Sequence, residues 1–296
     1  MGPIGIAAVV VAWGSTFTAT EVALESAPPI LFSGMRCLAG GAVVGVIAWS
    51  QLGSPDLRRT WRIHSVLAWW SVTAFIGLQT LALTLMTSGQ SAVLIYLQPL
   101  LVAVIAWRRL GESIEATQAV GLSLGFLGIG VISTGFPSDR ASSLGAGFAV
   151  AGAAAWAVGT VAFRRHHDDV DPLWAVAIPF LVGGLALTLL GALAEGTDIT
   201  WTPRLVGALG YASLVGTSLA WWLWLQLLSA GEVNPTAAYV FLVPVVAVLS
   251  GAVLLGEAVG PGLAVGGGLV VLGVLLVNRR QIGSYGPDAR QRDGTV

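Results

Sequence analysis

"YLQPLLVAVIAWRRLGE", Tyr96 to Glu112, returns later in the chain as "FLVPVVAVLSGAVLLGE", Phe241 to Glu257, with its proline and its closing Gly-Glu pair in register. Pro99 and Pro244, Glu112 and Glu257, and Gly128 and Gly273 are each 145 positions apart, so the correspondence extends past one segment. Arg108 and Arg109 are not kept: Val253 and Leu254 stand in their places. A unit that keeps its apolar frame while exchanging its charges has been set in different surroundings.

Composition says what those surroundings are. Of the 296 residues, 55% are hydrophobic and 10% charged, and the mean hydropathy is +0.83. An ordinary soluble domain carries roughly 25% charged residues. The chain therefore reads as an all-α integral membrane protein. Apolar runs bounded by polar or Pro/Gly punctuation predict ten spans, at 4–22, 30–50, 64–85, 89–107, 116–134, 144–163, 172–194, 205–228, 235–254 and 260–278. Residues 279–296 form a polar tail.

Arginine placement orients them, because cytoplasmic loops collect positive charge. All 14 basic residues are arginine. With both termini cytoplasmic, 11 of the 14 fall inside, Arg140 and Arg204 fall outside, and Arg36 lies within the second span. A five-span unit used twice must be inverted the second time, since five is odd. The predicted architecture is thus two inverted five-helix repeats, 4–134 and 144–278. It accounts for the exchanged charges: the first Gly-Glu hairpin faces the cytosol with arginines and the second faces outward without them. "TEVALESAPP" after the first span and "RRHHDD" after the sixth make the opposite exchange.

The same composition excludes several functions. Without lysine there is no Walker A loop and no Schiff-base amine. The single cysteine, Cys37, permits no intramolecular disulfide and no Cys-based zinc site. No basic block suits nucleic acid. "HHDD", His166 to Asp169, consists of adjacent residues that cannot converge on one ion and reads as a solvated loop. No nucleophile-base constellation for an enzyme is present, and neither a cofactor nor a metal is expected. The partners expected are the lipid bilayer, a small-molecule substrate and a coupling proton.

"WGSTFTATEVALESAPPILFSGMR", "SAVLIYLQPLLVAVIAWRRLGE" and "YVFLVPVVAVLSGAVLLGE" resemble the paired EamA domains of the drug/metabolite transporter superfamily, over about residues 4–278. The resemblance implies ten helices in two inverted repeats and export of a small metabolite, amino acid or drug-like compound across the plasma membrane. Where the family commonly has a basic residue eight positions after the first Trp, this chain has Glu21.

Inverted repeats place a site at their interface, where rocking of the halves exposes it to either side. Trp13, Ser15 and Thr16 sit mid-span in the first helix, and Trp156 with Thr160 occupies the corresponding place in the sixth. Gln79, Gln98 and Gln226 are amides within apolar runs, and Tyr96 and Tyr239 are aromatic polar handles. These ten residues are the candidate cavity lining, with interhelical hydrogen bonding as the competing role for the hydroxyls and amides. Glu21 and Arg36 are intramembrane charges, read either as a salt bridge locking the first hairpin or as gating or coupling groups. Pro99 and Pro244 are expected helix kinks. Glu112 and Glu257 read as caps for the helices that follow them. A membrane scaffold or sensor on the same frame is the alternative to a transporter.

Overall fold

The computed structural model describes residues 3–110, 116–134, 140–229 and 242–277. Glu112, Tyr239 and the tail 279–296 lie outside them. Every regular element among the described residues is helical: α1 (Pro3–Leu24), α2 (Pro29–Leu52), α3 (Leu57–Leu67), α4 (Phe75–Leu83), α5 (Ser88–Ile95), α6 (Gln98–Leu110), α7 (Ala116–Thr134), α8 (Arg140–Arg165), α9 (Pro172–Ala194), α10 (Pro203–Tyr211), α11 (Ala220–Ser229), α12 (Val243–Ser250) and α13 (Pro261–Val277). Single π-helical stretches, Ala68–Ala74 and Ala212–Leu219, join α3 to α4 and α10 to α11, and Gly251–Leu255 extends α12.

Among the described residues, six rods are long and apolar enough to cross a membrane: Ile4–Leu24, Pro29–Leu52, Leu57–Leu83, Ser142–Arg165, Pro172–Ala194 and Pro203–Gln226. Ser88–Val102, Ala119–Gly128, Val243–Leu255 and Pro261–Gly273 are shorter apolar helices. Large apolar side chains such as Trp49, Leu193 and Val253 point outward, as a lipid-facing surface requires.

Helix starts are chemically defined. Asp56, Asp171 and Thr202 accept from the backbone N–H of Arg59, Leu173 and Leu205 at 3.3, 2.8 and 3.1 Å. Prolines occupy the first helical position of α2, α9 and α10, where a missing N–H costs nothing. At α2 the first turn also donates to a distant carboxylate: Glu195 Oε2 accepts from Ile30 and Leu31 at 2.8 and 3.2 Å.

Two boundaries depart from expectation. The third helix starts at Leu57 rather than near 64, because the Asp56 cap begins it among arginines that a hydropathy window rejects. The span expected at 89–107 is broken after Ile95, and α6 resumes at Gln98 with Pro99 in its first turn. Proline cannot donate to the carbonyl four residues back, so the break falls just ahead of it. Pro244 lies in the first turn of α12, and Pro179 sits inside α9 as a proline that sequence reading did not single out.

Packing joins the early and late helices rather than neighbours in sequence. α2 lies along α9, α7 along α13, α1 against α12 and α10, and α8 against α4, α5 and α6. Glycines permit the closest crossings. A Cβ at Gly128 would meet the Gly266 carbonyl, and one at Gly273 would meet that of Gly121, so α7 and α13 touch through reciprocal backbone contacts.

The π stretches match as well. Thr73 Oγ1 donates to the Ala68 carbonyl at 2.9 Å and Ser218 Oγ to the Ser213 carbonyl at 3.0 Å, each bond spanning five residues. Thr73 and Ser218 are 145 positions apart, as are Ala68 and Ser213. A hydroxyl that reaches the carbonyl five residues back fits the wider π turn.

Candidate functional site

A chamber forms where α1, α2, α4, α5, α8 and α11 converge, and the π stretch Ala212–Leu219 closes one wall. Trp13, Arg36, Phe75, Gln79, Tyr96 and Trp156 line it, together with Thr16, Thr217, Trp221 and four smaller or apolar neighbours. Its free space is about 30 Å³, measured to the centre of a water-sized sphere. That is room for one or two waters.

The walls are a cluster of rings. Trp13 meets Trp156 edge-on with centroids 5.5 Å apart, and it meets Trp221 and Trp224 at 5.6 and 5.5 Å. Phe75 stacks on Trp156 at 5.0 Å, and Tyr96 abuts the same indole at 5.6 Å. Edge-to-face geometry sets the positive rim of one ring against the negative face of another, which fixes ring positions beyond what area burial achieves. Gly216 lets Thr16 approach the π stretch, since a Cβ there would overlap the threonine side chain. Thr16 Oγ1 donates to the Ala12 carbonyl at 2.5 Å.

Arg36 is 4% exposed and, among the described residues, is the one charged side chain lining the chamber. Its Nη2 donates to Gln79 Oε1 across a long 3.4 Å, and its Nε has no hydrogen-bond partner among the described residues. The expected Glu21–Arg36 salt bridge does not form. Glu21 turns to the start of α5, where its Oε2 accepts from Ser88 N–H at 3.2 Å. Glu257 reaches the same place: Oε1 accepts from Ser88 N–H at 2.7 Å and Oε2 from Ser88 Oγ at 2.8 Å. Sequence adjacency suggested the hairpin pair, whereas the free N–H groups of a helix start attracted both carboxylates. Glu257 accordingly caps α5 and not the helix that follows it. Thr87 begins α5 through a capping box with Gln90.

Of the residues singled out from sequence, Trp13, Thr16, Gln79, Tyr96, Trp156 and Arg36 meet in this chamber. Ser15 does not: its hydroxyl donates to the Val11 carbonyl at 2.5 Å and meets Tyr211 Oη at 2.6 Å. Gln98 is buried away from the chamber and donates to Thr160 Oγ1 at 2.9 Å. Thr160 lines a second, smaller hollow with Phe163, Trp221 and Trp224. Gln226 is half-buried on α11. Sequence reading missed Trp221, Trp224, Phe75 and Thr217, although "AWWLW", Ala220 to Trp224, is an aromatic concentration that marks a candidate wall. His64, expected at a span edge, is buried within α3 because that helix begins a full two turns earlier. Arg59 pairs with Asp169 at 2.8 Å, tying the start of α3 to the "HHDD" turn.

A multi-pass helical bundle with an aromatic, singly charged chamber between its early and late helices has the features of a membrane transporter. The chain belongs to the EamA-like transporter family, whose sequence pattern it matches twice, over residues 1–134 and 143–279. It is 33% identical over 276 residues to the uncharacterized transporter YvbV of Bacillus subtilis, covering 93% of this chain and 90% of that one. It is 30% identical over 295 residues to the uncharacterized inner membrane transporter YedA of Escherichia coli K12, covering 94% and 90%. A probable amino-acid metabolite efflux pump of Salmonella typhimurium is 27% identical over 268 residues, covering 84% and 85%. A crystal structure with 22% identity superposes with a TM-score of 0.68 over 94% of this chain and 96% of that one, a likeness of fold.

Proposed function

We propose that the chain is a secondary transporter of the plasma membrane that exports a small organic metabolite, an amino acid or a drug-like compound by alternating access. In this reading ten helices form two inverted five-helix repeats with both termini cytoplasmic. The observation that carries it is the chamber itself. Trp13, Arg36, Phe75, Gln79 and Tyr96 come from the first family match, Trp156, Thr217 and Trp221 from the second, and the ring contacts between them span both. A site built from two inverted units opens to one side or the other as they rock. The 145-residue spacing of the paired π-turn hydroxyls supports the repeat, and the likeness to the Salmonella efflux pump supports efflux. A chamber with room for one or two waters is the shut stage of such a cycle, and substrate enters when the walls part.

Glu21 is the proposed coupling carboxylate, placed at the far end of α1 from the N-terminus and held on Ser88 beside Glu257. Flux that keeps its pH-gradient dependence in Glu21→Gln removes that role.

Counterflow in liposomes tests the whole reading, with labelled amino acids, nucleosides and amphipathic drugs as the pool and Trp13→Ala as the comparison. Saturable flux lost in the variant is expected. A protein that is folded and moves none of them favours a scaffold.

A further inference from the structure

We infer that Arg36 is the anchor for a carboxylate, so that the chamber takes amphipathic monocarboxylates with the acid group on the guanidinium and the apolar body against Trp13, Trp156 and Trp221. This deepens the transport reading and rests on it for the word substrate.

A guanidinium removed from water is costly unless it is paired, and the usual solution is an adjacent carboxylate. Arg36 has none among the described residues. Its partner among them is the neutral Gln79 oxygen at 3.4 Å, while Nε is buried with no partner among them. The two carboxylates nearest in function, Glu21 and Glu257, are committed to Ser88. The cation is thus aimed into the chamber with donor capacity unspent, and guanidinium geometry matches the two oxygens of a carboxylate.

The rest of the lining narrows the class. The chamber offers a single charge, whereas a phosphate monoester dianion calls for more than one. Three indoles offer apolar and π surface to a ring or a short alkyl chain. A purely cationic compound would meet Arg36 with no acid in the lining to offset it.

The test uses the full-length protein in detergent and the quenching of its intrinsic tryptophan fluorescence by two acid-amide pairs of nearly equal shape, phenylacetate with phenylacetamide and hexanoate with hexanamide. At least one acid is expected to bind about tenfold or more tightly than its amide, the range of a charge-assisted hydrogen bond. Arg36→Gln abolishes that preference and Arg36→Lys keeps part of it. Equal affinity of acid and amide in both pairs, or no binding of either acid, in the unsubstituted protein overturns the proposal without any variant having to fold. A preference that persists in Arg36→Gln overturns it too. Failure of the transport reading looks different. Acid-selective binding with no counterflow of any compound sinks transport and leaves the anchor, whereas flux of a monocarboxylate unchanged in Arg36→Gln sinks the anchor and leaves transport.

Discussion

Trp156 carries more of the chamber than any other side chain, since Trp13, Phe75, Tyr96, Trp221 and Trp224 all meet its ring. Trp156→Ala is expected to lower stability by roughly 3–5 kcal/mol, read as a fall in the thermal midpoint of the detergent-solubilised protein. An unchanged midpoint would mean that the rings are not packed as described. Ser88→Ala is a gentler probe: it removes one hydroxyl donated to Glu257 and leaves the N–H that both carboxylates accept. A loss of about 1 kcal/mol is expected, and Glu257→Ala, which also removes the shorter of the two bonds to the N–H and leaves it to Glu21 alone, should cost more. At this scale the sequence was informative where a residue contrasted with its surroundings. Arg36, Gln79, Trp13 and Trp156 stand out in apolar runs, and the fold gathers them. It was uninformative where the partner is remote, as for Ser88 and Glu257, which are 169 positions apart.

Among the elements, the contrast between crowded and open glycines gives the sharpest experiment. A Cβ at Gly34 of α2 would overlap the Thr188 backbone of α9, whereas Gly207 in α10 has nothing within 4 Å of the same position. Gly34→Ala should therefore destabilise by about 1–3 kcal/mol, because backbone has to move. Gly207→Ala should be neutral or stabilise by up to about 1 kcal/mol through helix propensity. Equal effects in parallel unfolding titrations would contradict the α2–α9 crossing. Helix existence was legible from apolar runs and punctuation; the π stretches were not. An extra residue in a turn leaves apolar composition unchanged, and only the matched hydroxyls of Thr73 and Ser218 betray it. The break after Ile95 was half-legible, since Pro99 predicts a kink but not the two turn residues, Tyr96 and Leu97, ahead of α6.

For the whole molecule, the seam between α1 and α12 offers a way to halt motion. Thr18 Oγ1 and Ser250 Oγ meet at 2.7 Å across it, so thiols placed at both positions are within reach of one another. Cys37, the sole cysteine of the chain, is buried and does not compete. Oxidation of the Thr18→Cys, Ser250→Cys protein should stop counterflow and reduction should restore it. Full flux in a cross-linked protein would rule out relative movement of these helices as part of the cycle.

The partnership of early with late helices bears on how the molecule is made. When α1, α2 and α7 leave the ribosome, the faces they will bury have no counterpart yet: α9, α12 and α13 are still to be synthesised. Those glycine-lined surfaces must wait in lipid, and the last of the described helices, α13, is the one that covers α7. Assembly is therefore a late event rather than a progressive one, and a nascent chain that stalls before residue 261 is a natural client for membrane quality control.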